Sequence, residues 1–215
     1  MKRSPNLVDS VRKLVPSALW PIARLLGRPI MRMTENGRRL ARHARWVSEY
    51  YTAFGQGERE KVFLSICRFC HINRPVDGYY MEFGSHEANT MRLAWKHTQY
   101  LFNWTYVAFD SFEGLPEIQA IDQQEIWGKG RLKTAEEDFV GRVVAAGMPR
   151  ERLVTVKGFY DQVLTSDLAE SLLPKKAAVV YIDCDLYHST VPVLSFIRPF
   201  LQLGTVVVFD DWNCS

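Results

Sequence analysis

Four aspartates follow two apolar segments of the chain. Asp183 and Asp185 come at the end of the run AAVVYI, and Asp210 and Asp211 come directly after the run VVVF. Apolar runs of this length predict strands that are buried on both faces of a parallel sheet. A buried carboxylate is costly unless it is paired or bound to a metal. The four side chains therefore require a compensating cation or hydrogen-bond donors.

The chemistry of these aspartates has two interpretations. Oxygen ligands from Asp183, Asp210 and Asp211, on adjacent strand ends, suit Mg²⁺ or Ca²⁺. Asp185 points to the same side as Asp183 and is free to act as a general base, with His188 as a rival base. The structural alternative is that Asp211 caps a following helix and Asp183 accepts from a buried backbone N–H. The presence of four aspartates on neighbouring strand ends favours the metal site.

Alternating strands and helices position these side chains. The predicted strands are GYYMEFG, WTYVAFD, LVTVKGF, AAVVYIDCD and GTVVVFDDW. The predicted helices between them are ANTMRLAWKHTQYLF, TAEEDFVGRVVAAG, DQVLTSDLAESLL and STVPVLSFIRPFL, and RWVSEYYTAFGQ and GEREKVFLSICRFCHI precede them. Thr134 and Glu137 form a predicted capping box in the second of the four. The alternation predicts an α/β fold whose mostly parallel sheet carries helices on both faces.

The first two strands predict a cofactor site, because ligands of such folds bind outside the carboxyl ends of the strands. Gly84 follows the first strand and lets the backbone approach a ligand, and the N-terminus of the next helix suits an anionic group. The turn is not G-x-G-x-x-G, so the dinucleotide fingerprint is missing. Asp110 ends the second strand, where an acid can accept both hydroxyls of a ribose. Together they predict a nucleoside-bearing cofactor without a pyrophosphate.

Charge divides the chain into two parts. Residues 1–48 carry a net charge of +9 and the remainder carries −6. We therefore expect a basic N-terminal arm of short amphipathic helices (1–48) and an acidic globular domain (49–215). The arm either contacts an anionic membrane surface or a partner, or is a solvated segment that packs partly on its own domain. Nothing in the acidic part is typical of a nucleic-acid-binding surface.

The cysteines indicate a reducing compartment. Cys67, Cys70 and His71 match the C-x-x-C-H pattern of covalent haem attachment. The residues fall at helical spacing inside an apolar face, and the N-terminal sequence lacks the apolar region of an export signal. We interpret the two cysteines as core residues. No apolar run approaches the roughly 20 residues that span a bilayer, so we expect a cytoplasmic protein.

Five stretches between about residue 78 and residue 212 carry a family resemblance: YYMEFGS with Asn89-Thr90, VAFDSFEGLPE, VKGFYDQVL, VVYIDCDLYHST and GTVVVFDDW. In these stretches the chain resembles the macrocin (TylF-type) family of S-adenosylmethionine-dependent sugar O-methyltransferases. The resemblance implies a Rossmann-like class I methyltransferase fold, S-adenosylmethionine as cofactor and Mg²⁺ as metal. It implies that Asp185 deprotonates the acceptor hydroxyl. The implied metal ligands are Asp183, Asp210 and Asp211, and the implied cofactor-binding residues are Glu82, Gly84, Thr90, Asp110, Ser111 and Gly158.

The chain departs from the family pattern in three places. Ala88 stands where family members usually have glycine, and His188 replaces a more usual acid. The family fold continues past Asp211 with a helix and an antiparallel strand pair, so we expect the C-terminal strands to be missing. The fifth strand should then lie at an edge of the sheet, covered by self-association or by the basic arm.

Two other function classes stay open. One is a non-catalytic remnant of this fold that binds a cofactor or a sugar. The other is a metal-dependent phosphotransfer enzyme that uses the same aspartates, which is disfavoured because the sequence has no phosphate-binding loop. The acceptor itself is not defined by the sequence: an antibiotic sugar, a lipopolysaccharide or capsule sugar and a small glycoside all fit.

Overall fold

The computed structural model describes residues 37–43, 56–73 and 76–212. The chain divides into two compact units, Met1–Ala53 and Phe54–Ser215. In the first unit, residues 37–43 are helical. The rest of the predicted basic arm and almost all of the predicted helix RWVSEYYTAFGQ lie outside the described residues. The predicted boundary after residue 48 and the roles of the arm therefore stay predictions.

In the part of the second unit that the structure describes, five parallel strands form the sheet. They are β1 (Tyr79–Phe83), β2 (Thr105–Asp110), β3 (Leu153–Lys157), β4 (Ala177–Ile182) and β5 (Val206–Phe209). Their order across the sheet is β3-β2-β1-β4-β5. The strand order reverses between β1 and β4, and this reversal opens a crevice at the carboxyl ends of the two strands. The α/β prediction is confirmed, and the crevice is where a ligand is expected.

Within the described residues of the second unit, six α-helices accompany the sheet. They are α1 (Gln56–Ile72), α2 (Asn89–Thr98), α3 (Glu136–Ala145), α4 (Tyr160–Val163), α5 (Ser166–Leu172) and α6 (Tyr187–Ile197). Short 3₁₀ turns lie at Ala120–Asp122, Arg150–Arg152 and Arg198–Phe200. None of the described helices is both long enough and apolar enough to cross a bilayer.

Two helix predictions need correction. The stretch DQVLTSDLAESLL forms two helices, because the Thr165 side chain accepts a hydrogen bond from the Leu168 backbone N–H and starts a new helix. The capping box at Thr134 is also wrong. The residue that precedes α3 is Ala135, which makes no side-chain cap, and Thr134 Oγ1 lies 3.3 Å from His86 Nδ1 instead. The Thr134 hydroxyl, which the local sequence predicted as a helix cap, thus makes a tertiary contact instead.

Apolar side chains cover both faces of the sheet. β1 and β4 are buried along their whole length, as expected for central parallel strands. Tyr80 belongs to the core cluster on one face, and its neighbour Met81 belongs to the cluster on the other. Cys67 and Cys70 are buried on α1, as predicted for core cysteines. Burial raises the pKa of both thiols to about 11.

β5 lies at one edge of the described sheet and pairs with β4. Its burial is incomplete along all four residues. The prediction that the fifth strand is an edge strand is therefore confirmed within the described residues. What covers that edge stays a prediction.

Candidate active site

A cavity of about 550 Å³ lies at the carboxyl edge of the sheet. Residues that follow β1, β2, β3 and β4 all contribute to its wall. Asp183 and Asp185 line it on the β4 side. The predicted cofactor-binding residues that line it are Gly84, Thr90, Asp110, Ser111 and Gly158. The structure therefore brings Asp183, Asp185 and five of the predicted cofactor-binding residues to one cavity, while Asp210 and Asp211 do not belong to its wall.

Close packing explains the glycine after β1. Gly84 has a φ of +87°, and a Cβ built on it would lie 2.0 Å from the backbone oxygen of Asp183. A side chain at this position would thus collide with the chain that leaves β4. Packing between two strand ends thus requires the glycine, and its predicted role in the approach of a ligand stays a prediction.

Ala88 sits immediately before α2 in a left-handed conformation, with a φ of 63°. Only glycine adopts this region without steric cost, since a Cβ meets the following carbonyl group there. The side chain is fully buried. Ala88, predicted to depart from the family pattern, therefore adopts the backbone geometry that glycine favours.

Asp110 ties two loops together. Its Oδ2 accepts hydrogen bonds from the backbone N–H groups of Ser85 (2.7 Å) and His86 (3.1 Å). Its Oδ1 accepts from the backbone N–H of Phe112 (2.7 Å). The carboxylate therefore holds the turn after β1 against the turn after β2. Sequence reasoning assigned it to a ribose and missed this structural role.

Ser111 also shapes its own turn. Its hydroxyl donates to the backbone oxygen of Gly114 (2.7 Å) and accepts from the N–H of Glu113 (3.0 Å). The segment SFEG is consequently a closed loop on the wall of the cavity. Its prediction as a cofactor-binding residue stays a prediction.

Glu82 is placed differently from the other predicted cofactor residues. It is completely buried and is absent from the cavity wall. Its Oε2 accepts a hydrogen bond from the Tyr80 hydroxyl (2.6 Å). Burial, with a smaller contribution from the charge of Asp183, raises the pKa of Glu82 to about 8. In this position Glu82 supports the site from within the core.

The predicted metal ligands come together at the ends of β4 and β5. Asp183, Asp210 and Asp211 each place a carboxylate oxygen within 4.8 Å of the others. Backbone hydrogen bonds hold two of them, because Asp183 N donates to Phe83 O (2.9 Å) and Asp210 N donates to Ile182 O (3.0 Å). We call these three side chains the carboxylate cluster.

Burial raises the pKa values of the acids in this region, and crowding of negative charge raises them further. Burial, followed by the charge of Asp210, raises the pKa of Asp183 to about 8. Burial, followed by the charge of Asp211, raises the pKa of Asp185 to about 6. Both carboxylic acids are thus easier to protonate than an ordinary aspartate.

Arg59 is a residue of this site that sequence reasoning missed. Its Nε donates to Asp210 Oδ1 (3.1 Å), and its Nη2 forms a second, short hydrogen bond to Asp210 Oδ2. Nη2 also lies 3.6 Å from Asp183 Oδ2. The Tyr181 hydroxyl donates a further short hydrogen bond to Asp210 Oδ1. Arg59 lies one helical turn before Phe63, which packs on Tyr181, and that spacing was the available signal.

Asp122 is a second residue that the sequence did not reveal. Its two oxygens accept from the backbone N–H groups of Tyr187 (2.7 Å) and His188 (3.1 Å), so it caps α6 from a distant loop. The His188 imidazole lies on the cavity wall, with Nε2 3.0 Å from Gln119 Nε2. His188 therefore contacts the loop after β2, and its helix is capped by another residue.

A comparison with protein families identifies the chain. The model described as Macrocin-O-methyltransferase (TylF) matches residues 57–215. The chain belongs to this family. The TylF match therefore covers α1 and all the described strands, and not only the motifs at the strand ends.

Solved structures show the same fold in two methyltransferases. The calicheamicin methyltransferase CalS11 is 24% identical, with a TM-score of 0.57 over 72% of this chain and 64% of its own. The O-methyltransferase NovP is 20% identical, with a TM-score of 0.55 over 73% of this chain and 65% of its own. This TylF-family chain therefore covers just under two thirds of the length of these two relatives. No match was found among curated proteins.

Proposed function

We propose that the protein is an S-adenosylmethionine-dependent, Mg²⁺-dependent O-methyltransferase that acts on a hydroxyl of a sugar or glycosylated natural product. The observation that carries this proposal is the shared cavity. It places the turns held by Asp110 and the carboxylate of Asp185 on the wall of one space. Membership of the TylF family supports methyl transfer to oxygen as the reaction class.

The cofactor end of the cavity has unused polar capacity. A carboxylate has roughly four acceptor positions, and three backbone N–H groups bond to Asp110, so a ribose hydroxyl can still donate to it. Ser85 Oγ is buried without a hydrogen-bond partner among the described residues, and Ser85 lines the cavity. Asp110 and Ser85 therefore fit a cofactor that brings its own donors and acceptors.

The carboxylate cluster fits a hard divalent cation. Three aspartate oxygens within 4.8 Å of one another match the oxygen ligands that Mg²⁺ prefers, with water completing its shell. Asp183, Asp210 and Asp211 would hold the ion. A bound Mg²⁺ would lower the pKa of a coordinated hydroxyl.

Asp185 is placed to remove the acceptor proton. Its carboxylate lines the cavity, and its pKa of about 6 keeps it largely ionised near neutral pH while leaving it basic enough to accept a proton. A general base works best when its pKa lies near the operating pH. Bound S-adenosylmethionine would supply the electrophilic methyl group. The cavity walls would contribute alignment of the acceptor oxygen.

Calorimetry and a transfer assay test this function. We expect S-adenosylhomocysteine to bind, and label from the S-adenosylmethionine methyl group to reach a member of a glycoside panel only with MgCl₂ present. Asp210→Asn should abolish the Mg²⁺-dependent turnover while S-adenosylhomocysteine affinity stays within a few-fold. Binding without transfer to any glycoside would favour the alternative, a non-catalytic remnant. Loss of cofactor binding in Asp210→Asn would contradict the separation of the metal and cofactor sites.

A further inference from the structure

Arg59 contacts the oxygen atoms that the proposed metal would use. Two of its nitrogens bond to the two oxygens of Asp210, and Nη2 approaches Asp183 Oδ2. The Tyr181 hydroxyl occupies a further acceptor position of Asp210. Asp210 is thus already engaged by a cation on both of its oxygens. The side chains of Arg59 and Asp210 are 24% and 10% exposed, so water screens this pair only partly.

A guanidinium and a divalent cation cannot share these oxygens at low cost. Their charges have the same sign, and a metal bound to Asp183 and Asp210 would lie close to Nη2. Repulsion between like charges at such distances is strong when the site is half-buried. One cation must therefore leave, or turn away, when the other binds.

We propose that Arg59 is an internal competitor of the metal: it is the counter-ion of Asp210 and Asp183 in the metal-free protein and is displaced when Mg²⁺ binds. This inference rests on the proposed metal site and adds a residue that sets its affinity. Each cation opposes the binding of the other, and such coupling is reciprocal.

The packing of α1 restricts the displacement to the side chain. Phe63, one turn after Arg59, is fully buried. Its ring stacks on that of Tyr181 with a centroid distance of 5.7 Å and an interplanar angle of 7°. It also contacts the Tyr80 ring at 6.1 Å. The helix backbone is thus anchored to β1 and β4, whereas the Arg59 side chain borders the cavity and has space to turn.

Calorimetric titration of the metal-free protein with MgCl₂, without cofactor or acceptor, tests the proposal. Arg59→Gln removes the competing charge and should bind Mg²⁺ about 5- to 150-fold more tightly than the wild type, the usual range of such coupling. Arg68→Gln is the matched control, since Arg68 is an exposed arginine on the same helix. Its Mg²⁺ affinity should equal that of the wild type. Equal or weaker Mg²⁺ binding by Arg59→Gln would overturn the proposal.

Thermal unfolding provides the reciprocal measurement. In EDTA, Arg59→Gln should melt at a lower temperature than the wild type, because the carboxylate cluster has lost its counter-ion. Saturating MgCl₂ should remove that difference. A difference that persists in MgCl₂ would assign Arg59 a fixed structural role and overturn the competition.

A spectroscopic measurement covers the case in which Arg59→Gln does not fold. The Arg59 Nε–Hε NMR signal of the wild type should shift when MgCl₂ is added, and an unshifted signal at saturation would overturn the proposal. Failure of the proposed methyltransferase activity leaves these readouts unaffected, since none of them uses methyl transfer. Failure of the competition likewise leaves S-adenosylhomocysteine binding intact as a separate test.

Discussion

The two halves of the carboxyl edge of the sheet hold their aspartates in different ways. At the ends of β1 and β2, Asp110 accepts three backbone N–H groups from the adjoining turns. At the ends of β4 and β5, Asp183 and Asp210 are paired with the side chain of Arg59. A charge that is met by backbone groups is part of the fold. A carboxylate that is paired with a side chain can exchange that partner for another cation.

The difference predicts how each half responds to mutation. Changes near Asp110 should affect folding and cofactor binding together, because the same carboxylate organises the turns. Changes at Asp185 should affect chemistry more than folding, because its carboxylate lines the cavity in which the acceptor is proposed to bind. Four substitutions separate these effects.

The largest effect is expected from Asp185→Asn. Removal of a general base lowers kcat by about 10²- to 10⁴-fold, while S-adenosylhomocysteine affinity and the melting temperature should change little. Asp167→Asn is the control, since Asp167 is exposed on α5. Steady-state kinetics with a glycoside that the wild type methylates would check this. A kcat equal to that of the control would remove Asp185 from the mechanism.

Gly84→Ala should destabilise the fold without any ligand present. The new Cβ would meet the Asp183 backbone oxygen at 2.0 Å. Together with the positive φ, this should lower the free energy of unfolding by about 3 kcal/mol.

Gly141→Ala is the control for that variant, since a Cβ at this position in α3 meets nothing within 4 Å. It should raise the free energy of unfolding by about 0.5–1 kcal/mol, because alanine favours the helix. Urea denaturation measures both variants. If Gly84→Ala were as stable as the wild type, close packing would not be the reason for the glycine.

Asp110→Ala should weaken S-adenosylhomocysteine binding by about 1.5–3 kcal/mol, the scale of a lost hydrogen bond to a charged group. It should also lower stability, because Ser85, His86 and Phe112 lose their acceptor. Asp110→Asn keeps one carbonyl acceptor. Its S-adenosylhomocysteine affinity and its stability should therefore lie between those of the wild type and those of Asp110→Ala. Calorimetry on the folded variants isolates the binding effect, and an unchanged dissociation constant would place the ribose elsewhere.

Glu82→Gln tests the buried acid beneath both halves. The pKa of Glu82 rises from an ordinary 4.5 to about 8, so the folded protein keeps a proton that the unfolded chain releases. This contribution to stability is present below pH 4.5 and is lost as the pH rises towards 8. The wild type should lose stability relative to Glu82→Gln by up to about 1.4 kcal/mol per pH unit in that window. Parallel stability curves from pH 4.5 to 8 would show that Glu82 does not carry the shift.

Most elements could be read from the sequence because their signals are local. The apolar runs predicted all five described strands, and the helical spacing of Val62, Ile66 and Phe69 predicted α1. The buried face was predicted wrongly, because Val62 and Phe69 are exposed and Phe63, Ile66 and Cys70 are buried instead. The errors were local as well. Thr165 starts a new helix inside a stretch predicted as one, and Thr134 contacts His86 where a helix cap was predicted. In both cases a threonine hydroxyl could bond to more than one group, and the hydrophobic periodicity of the sequence does not predict which bond forms.

The sequence alone determined the chemical types of the site and its edge of the sheet. Aspartates at Asp183, Asp185, Asp210 and Asp211 follow buried strands, and parallel strands bring their carboxyl ends together. Only the tertiary structure decided which groups pair with these and other carboxylates. Arg59 and Asp210 are 151 residues apart, and Asp122 and Tyr187 are 65 apart. Such pairings depend on strand order and helix packing, which bring distant residues together without leaving a periodic pattern in the chain.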